Sequence, residues 1–166
     1  MQKAILIMGS KSDLEFAEKI RSALASYSIH SEMRIASAHR TPEHLLGVLR
    51  SYASSDDQIV AITIAGLSDA LSGVVAAQRL FPVIACPPDV EKYEFPKIFS
   101  SAFTPSDVPV AFLTDPSKAA HFVAQIFALS DRTIGDAISR KLAEKRTQIL
   151  AEDSQLVKQS SVSLQS

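Results

Sequence analysis

A single cysteine, Cys86, in 166 residues leaves no partner for an internal disulfide and no thiolate set for a zinc cluster of the usual spacing. A reducing, cytoplasmic setting is therefore the expectation. Neither sign of charge is in excess. Seventeen Lys plus Arg stand against 18 Asp plus Glu, a formal net charge of −1, so no broad basic field exists to hold a polynucleotide and no nucleic-acid partner is expected. Charges or prolines interrupt every apolar stretch short of the roughly 18–20 residues that span a bilayer, which argues against a membrane partner. The opening run, Met1 to Gly9, lacks the length and the small-residue cleavage site of a secretory signal. Neither a glycine-rich Walker loop nor a run of metal-ligand spacing is present.

What the chain has is an ordinary globular balance, 46% hydrophobic and 21% charged. Its length suits one domain, at roughly 150 residues each. A chain of this size buries about 68–70% of its unfolded surface, enough for a core without disulfide or metal. Ala4 to Met8 is an unbroken apolar run ended by Gly9, the mark of a strand covered on both faces. From Ser12 the spacing changes to that of one helical face: Leu14, Ala17, Ile20, Ala23 and Leu24. Ser31 to Ile35 repeats the strand, Ser37 to Arg40 the loop, and Thr41-Pro42 reads as N-cap and first residue of a helix to about Tyr52.

Ile59 to Ala65 is the clearest strand, β-branched and apolar, followed by a polar loop and a helix-compatible stretch over Ala70 to Leu80. Val83 to Ala85 and Val110 to Leu113 read as short strands, and Pro116 to Leu129 as a helix. Five βα units imply parallel pairing with right-handed crossovers. The fold class is α/β, a flavodoxin-like three-layer α/β/α sandwich on a five-stranded parallel sheet. Val90 to Pro109, rich in proline and aromatics, reads as a long irregular connection, with Tyr93 and Phe95 candidates for a subunit boundary. Ile134, Ile138, Leu142, Ile149 and Leu150 mark an apolar stripe on an extended, charged C-terminal helix that needs a partner. The expected organisation is a catalytic domain over 1–130, a helix packing on neighbouring subunits over 131–158, and a frayed tail over 159–166.

In an open parallel sheet, ligands bind beyond the carboxyl ends of the strands, where the winding reverses. Three loops meet that condition: Gly9-Ser10-Lys11-Ser12-Asp13, Ser37-Ala38-His39-Arg40-Thr41-Pro42 and Ala65-Gly66-Leu67-Ser68-Asp69-Ala70-Leu71-Ser72-Gly73. The first offers hydroxyls and amides at a helix start to a phosphate, with Asp13 suited to sugar hydroxyls. The plainer reading makes Ser12 an N-cap and Asp13 a first-turn acid. Arg40 in the second loop can fork onto phosphate, and His39 brings an imidazole, the side-chain type suited to proton transfer near neutrality. A loop histidine can equally be a solvated residue. Cys86 reads as a small buried thiol with no catalytic role.

Taken in order and at this spacing, the three loops resemble the signature loops of the phosphoribosylaminoimidazole carboxylase family of purine biosynthesis, over about Ala4 to Asp153. One branch, the mutases, moves a carboxyl group from an exocyclic nitrogen to a ring carbon, and its third loop resembles Ala-Gly-Gly-Ala-Ala-His-Leu-Pro-Gly. The other carboxylates aminoimidazole ribonucleotide directly with CO2, and its loop resembles Ala-Gly-Arg-Ser-Asn-Ala-Leu-Ser-Gly. Ala65-Gly66, Ser68 and Ala70-Leu71-Ser72-Gly73 follow the direct branch, as do Cys86-Pro87-Pro88 and Gln125 to Asp131. Leu67 departs from it, standing where that branch has Arg. So does Arg40, which stands where it has Lys, and Asp69 replaces Asn. The loss of the cation at 67 leaves Lys11 or Arg40 to meet CO2.

The resemblance implies His39 as the proton-transfer group; Ser12, Ser37 and Arg40 at the 5′-phosphate; and Asp13 at the ribose. Gly9, Ser10, Ala65 and Gly66 would border the base and the carboxyl group. Ser68, Asp69 and Ser72 would either bind the new carboxylate or hold the loop closed; Ser72 and Gly73 could instead only shape a helix. It implies CO2 as co-substrate, no cofactor, and a homo-octamer, with a tetramer as the smaller alternative. The mutase is the rival within the family. A non-enzymatic nucleotide- or flavin-binding module on the same fold is the rival outside it.

Overall fold

The structure, a computed structural model, describes residues 1–78 and 80–162, those at 93–97, 161 and 162 by their backbone alone. Five strands, β1 (Gln2–Met8), β2 (His30–Ile35), β3 (Gln58–Ile64), β4 (Val83–Ala85) and β5 (Ala111–Phe112), pair in parallel in the order β2-β1-β3-β4-β5. Helices α1 (Leu14–Ala25), α2 (Pro42–Tyr52), α3 (Ala70–Ala77), α4 (Val90–Ala102), α5 (Pro116–Ala128) and α6 (Arg132–Val162) alternate with them. This is the expected flavodoxin-like sandwich.

Side chains of a strand alternate between faces, so each strand feeds two cores. Ala4, Leu6 and Met8 of β1 pack with Ile20 and Leu24 of α1 and with Val123 and Phe127 of α5. Ile5 and Ile7 face the other way, onto Leu45 and Leu49 of α2 and Leu71 and Val75 of α3. Every one of these residues is at most 2% exposed. A strand buried on both sides has no polar face, which is why β1 and β3 read as continuous apolar runs.

Winding reverses at β1, whose two neighbours are β2 and β3. The register sets Met8 beside both Ile35 and Ile64. Three strands therefore end level, and Ala36 N–H to Met8 O and Gly9 N–H to Ile64 O, both 2.9 Å, carry the ladders one residue further.

Two expectations are corrected. Val90–Ala102 is a helix where an irregular connection was expected, because its backbone stays helical through Pro96, a residue that normally ends such a run. The side chains of Tyr93 and Phe95 lie outside the described residues. In α6, Gln159 to Val162 continue the helix instead of fraying, while 163–166 lie outside the described residues. At 1.5 Å per residue, α6 is about 46 Å long. Ile134 and Ala137, in its first two turns, are buried in the chain's own core, whereas Leu142, Ile149, Leu150, Leu156 and Val157 are each at least half exposed.

Candidate active site

A cavity of about 570 Å³ opens beyond the carboxyl ends of β1, β2 and β3, within the range of about 300–1,000 Å³ usual for small-molecule sites. Gly9, Ser10, Ser12 and Asp13 line it from the first loop, Ser37, Ala38, His39 and Arg40 from the second, and Ala65, Gly66, Leu67, Ser68, Ala70 and Leu71 from the third. Among those lining residues Arg40 is the one guanidinium, Asp13 the one carboxylate and His39 the one imidazole. Lys11 does not line the cavity and is exposed, so of the two cations considered for the CO2 end only Arg40 is in place.

The first loop closes on itself. Ser10, extended at φ −156° and ψ 159°, accepts the Ser12 N–H on its hydroxyl at 3.3 Å. Its own N–H donates to Asp13 Oδ2 at 3.1 Å. That reciprocal pair is a capping box around the 3₁₀ turn Lys11–Asp13. The cap is Ser10, not Ser12, whose hydroxyl instead donates to Ser10 Oγ at 3.1 Å. Asp13, 8% exposed, is fixed at the cavity wall.

In the second loop the Ser37 N–H donates to Thr41 Oγ1 at 3.0 Å, and the Thr41 hydroxyl returns to Ser37 O at 3.3 Å. Thr41 sits at the N-cap position of α2, ahead of Pro42, but its side chain makes no cap bond because it is used in this turn. Ser37 Oγ accepts the Arg40 N–H at 3.2 Å. Arg40 Nη2 reaches Gly9 O at 3.3 Å and ties the two loops together. His39 is exposed and makes no hydrogen bond to any described residue. The first turn and α2 both start at the cavity, so their positive ends favour an anion there.

The third loop is built differently. Leu67 adopts φ +56°, a left-handed conformation that costs a side chain with a Cβ about 1–2 kcal/mol. Its N–H donates to Asp89 Oδ2 at 2.6 Å. A Cβ at Gly66 would lie 3.2 Å from that same oxygen, so the glycine makes room for the carboxylate. Asp69 turns away from the cavity: it accepts the Ser72 N–H at 3.0 Å, capping α3, and the Ser101 hydroxyl at 2.7 Å. Its own N–H donates to Ser100 Oγ at 3.2 Å. Ser72 is fully buried, its hydroxyl without a hydrogen-bond partner among the described residues.

The structure thus brings together His39, Gly9, Ser10, Ser12, Asp13, Ser37, Arg40, Ala65, Gly66 and Ser68, and leaves Asp69 and Ser72 behind the wall. Sequence reasoning misses Asp89 and the Ser100-Ser101 pair. No local pattern marks them; they reach the third loop because β4 lies beside β3. Cys86, at the end of β4, is fully buried, and burial and then the charge of Asp115 push its thiol up to about 12.

Comparison with known proteins agrees with this geometry. The phosphoribosylaminoimidazole carboxylase of Archaeoglobus fulgidus is 44% identical over 154 residues, covering 93% of this chain and 84% of that protein. The N5-carboxyaminoimidazole ribonucleotide mutase of Methanocaldococcus jannaschii is 35% identical over 150 residues, 89% of this chain and 93% of that protein. The crystal structure of Treponema denticola PurE superposes with a TM-score of 0.89 at 38% identity, covering 94% of this chain and 99% of that one. The family model for AIR carboxylase matches residues 3–148, a span that holds all five strands but for Gln2 and all three loops of the cavity, and the chain belongs to that family.

Proposed function

We propose that this protein carboxylates 5-aminoimidazole ribonucleotide with CO2 to 4-carboxy-5-aminoimidazole ribonucleotide, a step of purine synthesis. The observation that carries the reading is the convergence of His39, Arg40 and Asp13 on one cavity in a chain 44% identical to a phosphoribosylaminoimidazole carboxylase. The ring carbon of this ribonucleotide is an electron-rich enamine carbon, nucleophilic enough to attack CO2 with no cofactor. A carbon–carbon bond forms, one C=O electron pair moves onto oxygen, and the neutral His39 imidazole takes the ring proton so that aromaticity returns.

Ser12, Ser37 and Arg40 hold the 5′-phosphate and Asp13 the ribose hydroxyls, so binding energy at the remote phosphate positions the reacting carbon. Gly9, Ser10, Ala65, Gly66 and Ser68 border the base and the new carboxylate. Asp69, turned inward, takes the other role open to it and holds the loop closed, while Ser72, which meets Asp69 through its amide alone, shapes the start of α3.

The mutase is the second reading, favoured by Arg40 and by the 35% identical relative. Ala70 opposes it, since an alanine lines the cavity where the mutase loop carries histidine. Purified protein given aminoimidazole ribonucleotide plus CO2 in one cuvette, and the N-carboxylated ribonucleotide in another, separates the two. Product from the first is expected; turnover of the second alone makes the protein a mutase, and no turnover in either returns a non-enzymatic nucleotide-binding module.

The exposed apolar residues of α6 from Leu142 onward support a homo-oligomer, an octamer with a tetramer as alternative, in which a neighbouring subunit covers them. Deleting Leu142 onward, which spares the buried Ile134 and Ala137, is expected to give smaller particles by light scattering; an unchanged assembly refutes the assignment. No helix among the described residues is long and apolar enough to cross a membrane, and a lone, buried thiol fits the reducing cytoplasm.

A further inference from the structure

We propose that Asp89 is a positioning residue for the reaction: its carboxylate holds the Leu67 amide and thereby keeps the Gly66–Ser68 corner in the left-handed turn that forms the third wall of the cavity. The inference rests on the carboxylation reading above. Asp89 does not itself line the cavity, so it acts only through the loop.

The three walls differ in what supports them. The Ser10–Asp13 box closes the first, and the Ser37–Thr41 exchange closes the second, each within its own residues. The corner of the third is gripped from outside the loop, by the residue that starts α4 after β4. At 2.6 Å, the Leu67 N–H to Asp89 Oδ2 bond is of the short, charge-assisted kind. It fixes a residue whose backbone is in the left-handed region, a leucine at φ +56°. Gly66 fits the same arrangement, since any side chain there would press on the Asp89 oxygen. About three helical turns further along α4, Ser100 and Ser101 hold Asp69, so the loop is pinned to both ends of that helix.

Without the carboxylate, the left-handed corner loses the bond that holds the Leu67 amide and relaxes. The wall beside the base moves, while the loops assigned to the phosphate stay closed. Chemistry suffers and binding does not.

The test is kinetic and structural together. Asp89→Ala is expected to lower kcat about 10- to 100-fold, the effect of a small misplacement at the reacting end, with KM for the ribonucleotide unchanged. Asp89→Asn, whose side-chain carbonyl still accepts the Leu67 N–H, is expected to recover most of the rate. Adding Leu67→Gly to Asp89→Ala is expected to restore turnover as well, because glycine holds the left-handed turn without help. Amide hydrogen exchange at Leu67 should quicken in Asp89→Ala and stay slow in Asp89→Asn. Should the alanine variant not fold, Asp89→Ser, too short to reach the amide, takes its place.

An Asp89→Ala kcat equal to the parent's overturns the proposal, as does unchanged exchange at Leu67 or a glycine double variant no faster than the single one. A parent protein that does not carboxylate at all overturns the functional reading instead, and the exchange measurement still decides whether the clamp exists.

Discussion

The two ends of the sheet use their charged groups in opposite ways. At the amino end, Lys3 Nζ lies 3.0 Å from Glu32 Oε1 and 3.1 Å from Asp57 Oδ2. The Met1 ammonium meets Asp57 Oδ1 at 2.7 Å, and the Tyr52 hydroxyl donates to Glu32 Oε2 at the same distance. These groups satisfy one another. The Met1 ammonium, then Lys3 and Ser55, hold the Asp57 carboxyl well below the usual range; Tyr52 first and Lys3 second hold Glu32 low; and both carboxylates raise Lys3. At the carboxyl end the carboxylates of Asp13, Asp69 and Asp89 are spent on backbone amides and a hydroxyl that close the loops, leaving His39 and Arg40 exposed at the cavity. Charges that pair with each other hold a fold together, whereas charges kept apart by backbone geometry remain available to a ligand.

Substitutions at one end should spare what the other end does. The largest expected effect is that of His39→Asn, which should slow turnover at least about 100-fold, as loss of a general base does. Calorimetry should find ribonucleotide binding and the melting temperature unchanged. Next comes Arg40→Ala. Losing a charge-assisted contact worth about 1.5–3 kcal/mol should weaken ribonucleotide binding roughly 10- to 100-fold, again without moving the urea midpoint.

The converse substitution, Lys3→Met, should leave kcat alone and cost about 1 kcal/mol in urea unfolding, the scale of a part-exposed ion pair. Acid titration sharpens the contrast. Glu32 and Asp57 are depressed in the folded state, so their stabilisation is present above their unfolded pKa values, near 4, and is lost as pH falls through the folded ones. Lys3 is raised, so its part is complete below its unfolded pKa, near 10.4, and fades as pH rises through the folded value. Melting temperature should thus be flat between about pH 5 and 9 and drop on the acid side, less steeply in Lys3→Met. Smallest of all is Cys86. With its thiol at about 12 and fully buried, it should ignore a thiol reagent until urea unfolds the chain, despite lying at the site's end of the sheet.

The strands and the three loops are legible in the sequence because doubly buried strands are uniformly apolar and the winding rule then says where their loops must meet. What stays hidden depends on partners far along the chain. Ser12 and Asp13 read as cap and acid, yet the cap is Ser10, since only the local φ and ψ decide which hydroxyl meets the free amides. Asp69 and Ser72 sit in a loop that faces the cavity, but α4 offers Ser101 on the other side and draws Asp69 inward. That helix is itself obscured by Pro96. Asp89 is invisible for the same reason: its role exists only once β4 has added to β3.

Among the described residues, all that line the cavity fall between Gly9 and Leu71. A ribosome that has released Leu71 has therefore already made every chemical group of the site, on a sheet holding three of its five strands. Rigidity arrives later, when Val83–Ala85 extends β3, Cys86 N–H bonds Thr63 O at 2.9 Å, and Asp89 reaches Leu67. The first half of the chain thus supplies the reagents and the second half supplies the vice.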